Sequence, residues 1–146
     1  MPIVPSGVLV RDAIARGYAV PAINCQGGTY DIVRAVLETA HEERSPVILM
    51  VYQGNTEYYG LAGLPRIVSI LIEDYDVPVA IHLDHGQDVD TVIRAVHSGY
   101  TSVMIDYSQR SLDENITATR HVIDAAKMRG VSVEAEIGRL ARNTGT

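Results

Sequence analysis

Pro78-Val-Ala-Ile-His-Leu-Asp-His-Gly86 is the stretch on which the reading turns. A proline opens a short apolar run, the pattern of a buried strand in a parallel sheet. The run ends in His82, Asp84, His85 and Gly86. A buried strand end does not tolerate a carboxylate and two imidazoles unless something pairs with them. Neighbouring strand residues point to opposite faces. Asp84 and His85 therefore serve one site only where the strand gives way to a loop, and Gly86 reads as the bend. The pattern suggests a metal ligand beside an acid/base carboxylate at the carboxyl end of the strand. The other reading is a hydrogen-bonded His/Asp pair that ties the strand off.

Outward from this strand the order is regular. Upstream, Arg11–Gly17 reads as a short helix stopped by its glycine. Tyr18–Asn24 reads as a first strand, weakened by Pro21. Thr29 is placed to cap a helix from Tyr30 to about Glu43, with Ile32, Val33, Val36, Leu37 and Ala40 at helical spacing. Val47–Val51 is a second strand, Gln53–Gly60 a long loop, and Leu64 to about Tyr75 a second crossover helix. Downstream, Asp88 caps a third helix that Gly99 stops, and Thr101–Asp106 is a fourth strand. Ser111 with Glu114 three residues later forms a capping-box pattern for a fourth helix. Val131–Glu136 is a fifth strand, again ending in a carboxylate.

Five strands separated by four crossover helices predict right-handed βαβ units and a parallel α/β sheet. A doubly wound sheet binds its ligand at a switch point. A (β/α)8 TIM barrel collects chemical residues at the carboxyl ends of successive strands. Here Asn24, Tyr52 and Gln53, Asp84 and His85, Asp106, and Glu136 follow consecutive strands, which favours the barrel. There is no Gly-x-Gly-x-x-Gly after the first strand and no P-loop pattern. A whole barrel takes about 250 residues. Residues 1–146 are therefore expected to be the N-terminal part of one barrel domain, its first five strands, without the C-terminal ones.

Composition agrees with such a sheet: the chain is 47% hydrophobic, with eight Tyr but no Phe or Trp, so Val, Ile, Leu and Ala must build the core. The net charge of −6 comes without a basic cluster and argues against nucleic acid or an anionic membrane as partner. A phosphorylated substrate is not excluded, because local donors suffice to bind it. The lone Cys25 reads as a packing thiol, fits a reducing compartment and makes a cytoplasmic location the expectation. No signal peptide or membrane span is expected. His41, His97 and His121 fall within helices and are not expected to hold metal. Tyr58 and Tyr59 read as covering loop backbone.

Ile81-His-Leu-Asp-His-Gly86, Gly99-Tyr-Thr-Ser-Val-Met-Ile-Asp106, Glu114-Asn-Ile116 and Val133-Glu-Ala-Glu-Ile-Gly138, in that order, resemble the class II, zinc-dependent ketose-bisphosphate aldolases. The resemblance runs from about Val8 to Gly138. It implies aldol cleavage or condensation of fructose or tagatose 1,6-bisphosphate, with dihydroxyacetone phosphate and glyceraldehyde 3-phosphate as products. It implies Zn2+ or another divalent cation as cofactor, a phosphorylated ketose as substrate, and a homo-oligomer, dimer or tetramer. By the same resemblance His85 is a metal ligand, and Asp106 and Glu136 belong to an alternative, more buried metal position. Asp84 is the catalytic carboxylate that exchanges a proton at the bond being broken. Asn24 orients substrate, and His82 and Glu134 support from behind.

The residues themselves leave other roles open. Asp106 also reads as an acceptor for the helix that begins near Ser111. Glu134 and Glu136 share a strand face and also read as a buried acid pair.

The chain departs from the family pattern in places. Two of the family's three zinc histidines lie beyond the fifth strand. Tyr52 stands where a phosphate-site serine is usual, and Thr144 where a loop glutamate is usual. Two alternative readings accompany the aldolase: a catalytically silent half-barrel acting as an interaction subunit, and a barrel metalloenzyme with a changed sugar.

Overall fold

The computed structural model describes residues 3–138. Its elements follow one another as α1 (Ser6–Arg16), β1 (Ala22–Asn24), α2 (Tyr30–Glu42), β2 (Val47–Tyr52), α3 (Thr56–Tyr59), α4 (Gly63–Leu71), β3 (Val79–Gly86), α5 (Val89–His97), β4 (Ser102–Ile105), α6 (Leu112–Lys127) and β5 (Ser132–Ala135). The described strands form one sheet in the order β1-β2-β3-β4-β5, every neighbouring pair parallel. Strand order equal to chain order excludes the doubly wound alternative, whose order reverses at its switch point. The fold is the first part of a (β/α)8 barrel, with α2, α4, α5 and α6 as its crossover helices.

The core lies between the sheet and these helices. Val33 and Leu37 of α2, Leu64 and Val68 of α4, and Val92 of α5 meet Leu49, Val51, Ile81, Leu83, Val103 and Ile105 of the strands. Burial fades from the centre outward: β4 is buried throughout and β3 nearly so, β2 alternates, and β1 and β5 are largely open. The other face carries the polar row. Register aligns Asn24, Met50, His82, Ser102 and Ser132 across the five strands, with Tyr52 beside Asp84 one step further along.

Several boundaries differ from those expected. The first helix starts at Ser6 rather than Arg11, because its N-terminus is held from afar: Ser6 Oγ lies 2.7 Å from Ser102 Oγ, and the Gly7 N–H donates to Ser132 Oγ at 3.0 Å. β1 shrinks to Ala22–Asn24, since Pro21 has no N–H and contributes only its carbonyl, to Ile48. Thr29 precedes α2 but makes no side-chain cap bond; its hydroxyl donates to the Gln26 carbonyl instead. The 53–60 loop folds into a 3-10 turn followed by α3. The second crossover ends as α4 and a separate 3-10 turn, Ile72–Asp74. Asp88 and the Ser111/Glu114 box cap α5 and α6 as expected.

Candidate active site

The strand end His82–Gly86 is built differently from the expected bend. Leu83 pairs with Val103 and Gly86 with Ile105, so β3 spends one residue more than β4 over the same step. That is a β-bulge, and the extra residue is left free of the regular alternation. His85 takes the left-handed conformation, at φ 48°. This lets Asp84 and His85 both address the same side, where a regular strand would part them. Gly86 therefore does not supply the bend. A Cβ there would collide with Val92 Cγ2 on α5 and with the Met104 carbonyl oxygen of β4. Gly86 is glycine because backbone and helix close on it.

His85, Asp106 and Glu136 converge from the ends of β3, β4 and β5. One ligand atom from each lies within 4.8 Å of the others. They line a cleft of about 360 Å3 with Tyr52, Gln87, Ser108 and Gln109. His85 Nδ1 is 2.8 Å from Asp106 Oδ2, and the other Asp106 oxygen accepts from Ser108 N–H at 3.1 Å and Ser108 Oγ–H at 2.7 Å. These partners replace the helix start near Ser111 that the alternative reading of Asp106 named. Burial opposes ionisation of Asp106, but the Ser108 and His85 hydrogen bonds outweigh it and hold the carboxyl below its ordinary range. The Asp106 hydrogen bond raises the His85 pKa above the usual imidazole value against partial burial, helped by the charges of Asp84, Asp106 and Glu136.

Asp84 stands 3.9 Å from His85 Nε2, too far for a hydrogen bond. Burial raises its pKa despite that neighbour, and the Asp106 charge adds to the rise. His82 lies one row deeper and is buried, with Nδ1 2.7 Å from Ser102 Oγ. Glu134 Oε2 is 3.7 Å from His82 Nε2, but its side chain is 60% exposed, so Glu134 and Glu136 form no buried acid pair. Asn24 stands apart at β1, where its Oδ1 accepts from the Gln26 N–H at 2.8 Å. Thr144 lies outside the described residues.

Sequence reasoning placed Tyr52 and Gln53 at a strand end but missed Gln87 and Ser108, which join them in a polar frame around this cleft. Gln87 Nε2 donates to Tyr52 Oη at 2.6 Å, the Gln87 N–H to Gln53 Oε1 at 2.7 Å, and Gln53 Nε2 to the α5 cap Asp88 at 3.1 Å. Ser108, two residues after Asp106, had a local signal in the Asp-x-Ser spacing; Gln87 had none. Cys25 is fully buried, and burial pushes its thiol up to about 11. His41, His97 and His121 are exposed on helices away from the cleft. Tyr58 is exposed and stacks edge-on against Tyr59, whose ring lies beside Gly27.

An imidazole and two carboxylates are a donor set for zinc or a similar divalent ion. With bonds of about 2.0–2.2 Å, two ligands of one ion lie no more than roughly 4.4 Å apart. Residues already within 4.8 Å thus need only small side-chain rotations to share one. Kept instead of given up, the His85–Asp106 bond has the form in which a carboxylate orients a ligating imidazole and leaves Nε2 for a metal.

The sequence profile of class II fructose-bisphosphate aldolases matches residues 5–145. The chain is 45% identical over 133 residues to a protein named fructose-bisphosphate aldolase from Thermus caldophilus, covering 91% of this chain and 43% of that one. It is 43% identical over 141 residues to a probable fructose-bisphosphate aldolase of Bacillus subtilis, covering 94% and 49%. The crystal structure of the YdjI aldolase from Escherichia coli K12 superposes with a TM-score of 0.83 at 27% identity, over 94% of this chain and 51% of that one. The chain spans about half the length of these relatives. With a half-barrel in chain order and a profile match from end to end, the chain belongs to the class II fructose-bisphosphate aldolase family.

Proposed function

We propose that this chain carries the first part of a metal-dependent aldolase site, which in the complete barrel cleaves or condenses a ketose 1,6-bisphosphate, fructose or tagatose. The observation that carries the reading is the convergence of His85, Asp106 and Glu136, with Asp84 beside them. His85 would hold an ion either through Nε2, with Asp106 kept on Nδ1 to orient the ring, or, with that bond given up, through Nδ1 shared with Asp106 and Glu136. When bound, a divalent ion supplies Lewis-acid stabilisation of negative charge developing on the substrate's oxygens. Asp84 accepts the proton of the substrate hydroxyl at the bond that breaks and returns it in condensation. Ser108 and Asp106 keep the His85 ring oriented. Asn24, further round the arc, contributes to holding the substrate, and His82 with Glu134 supports Asp84 from the row beneath. The location this reading implies is the cytoplasm.

Zinc content and turnover on one preparation test the proposal. Chelator-sensitive cleavage of either bisphosphate supports it; full turnover in chelator, with no metal present, sinks it. Within an active protein, Asp84→Ala should lower kcat about 10²–10⁴-fold while zinc stays bound. His85→Ala should lose zinc first. The reverse pattern would reassign both residues.

A further inference from the structure

Glu136 reaches the cleft from one residue beyond β5, where the ladder with β4 has ended at Ile105 and Ala135. A side chain from the neighbouring helix grips its backbone: Asn115 Nδ2 donates to the Glu136 carbonyl oxygen at 2.8 Å. Asn115 is buried, at 6% exposure, and its Oδ1 accepts from Thr119 Oγ–H one turn later at 3.2 Å. We infer that Asn115 is the positioning residue that holds Glu136 at the cleft.

The chemistry explains why this residue is an asparagine. A backbone carbonyl only accepts, so the atom facing it must be the amide nitrogen. That leaves Oδ1 toward Thr119, whose hydroxyl supplies the proton. Both halves of the amide are used, and its orientation is settled by its partners. Aspartate would set oxygen against oxygen, and alanine would leave the carbonyl without its donor. The start of α6 is itself fixed by the reciprocal Ser111–Glu114 box, which seats Asn115 in the next position. The helix cap and the strand exit are thus linked through one side chain. A site residue needs its geometry held to within about 0.5 Å by such supports.

The inference rests on the reading of His85, Asp106 and Glu136 as a metal site only for its affinity arm. Asn115→Asp, Asn115→Ala and Thr119→Val would be prepared, with circular dichroism confirming that each folds. Backbone 15N relaxation should show Glu136 and Ile137 loosened in the Asn115 variants while Ser132–Ala135 keep their order. Zinc affinity, titrated directly, should fall about 10–100-fold, as for other groups that orient metal ligands. Thr119→Val should move both readouts the same way by less, and it decides the matter if the Asn115 variants do not fold. Unchanged order at Glu136 in a folded variant overturns the inference, and so does unchanged zinc affinity with Glu136 loosened. A wild-type protein that binds no zinc defeats the metal reading alone, and the relaxation measurement still decides Asn115.

Discussion

His82 is a buried imidazole that stays neutral where most histidines charge. Burial pushes its pKa from 6.5 down to about 4. The nearby Glu134 carboxylate favours the charged form, but it is mostly exposed and screened, so burial wins. The sign follows directly. Below about pH 6.5 the unfolded chain takes up a proton that the fold refuses until about pH 4. Between these values His82 makes stability fall as pH falls, by about 1.4 kcal/mol per pH unit. Urea unfolding of the wild type and His82→Gln at pH 7.0, 5.5 and 4.5 (about the window set by this shift) should show a shallower slope in the variant. Parallel slopes would refute the role of burial. Gly86 supports a second prediction at this scale. Gly86→Ala must push both the Met104 carbonyl and Val92 aside and should cost about 1–3 kcal/mol. An unchanged urea midpoint would show that β3 and α5 yield more easily than their close packing suggests.

At the scale of elements, the two helix starts make a contrast. Ser111 and Glu114 bond reciprocally at the start of α6, whereas Thr29 gives α2 no side-chain cap. Ser111→Ala should therefore cost about 1 kcal/mol, and Thr29→Ala clearly less. Thermal unfolding of the two variants checks the order, and equal losses would contradict it. The capping box, the glycine stops and the apolar stripe of α2 were legible in the sequence because they are local. The start of α1 was not, because Ser6 is held by Ser102, 96 residues away. The reading of Gly86 as a bend failed for a related reason. The bulge that turns His85 is a mismatch between two strands, and no single strand records it.

Among the described residues the sheet is an open arc. β1 and β5 each offer an edge, and an apolar groove of about 450 Å3 between β1 and α2 is lined by Pro21, Ile23, Val36 and Val47. Leu112, Ile116 and Ile123 of α6 are exposed as well. Unpaired edges and apolar patches of this kind drive association. The 146-residue chain on its own is predicted to self-associate, with light scattering at several concentrations as the check. A monomer that stays monodisperse as concentration rises would contradict this. Among the described residues no helix is long and apolar enough to cross a membrane.

The sequence by itself determined the alternation of strands and crossover helices, and the polar residues that end the strands. Periodicity, caps and an out-of-place charge at the end of an apolar run are properties of short segments. It named His85, Asp106 and Glu136 one strand at a time. Only the tertiary structure decided that their ligand atoms come within reach of one ion. It also decided that a bulge turns His85 toward Asp84's side, that Ser108 bonds the Asp106 carboxylate, and that Asn115 bonds the Glu136 carbonyl. The physical reason is one of range. A hydrogen bond between Asn115 and Glu136, 21 residues apart, exists only once α6 has packed beside β5, and nothing within either segment encodes the partner.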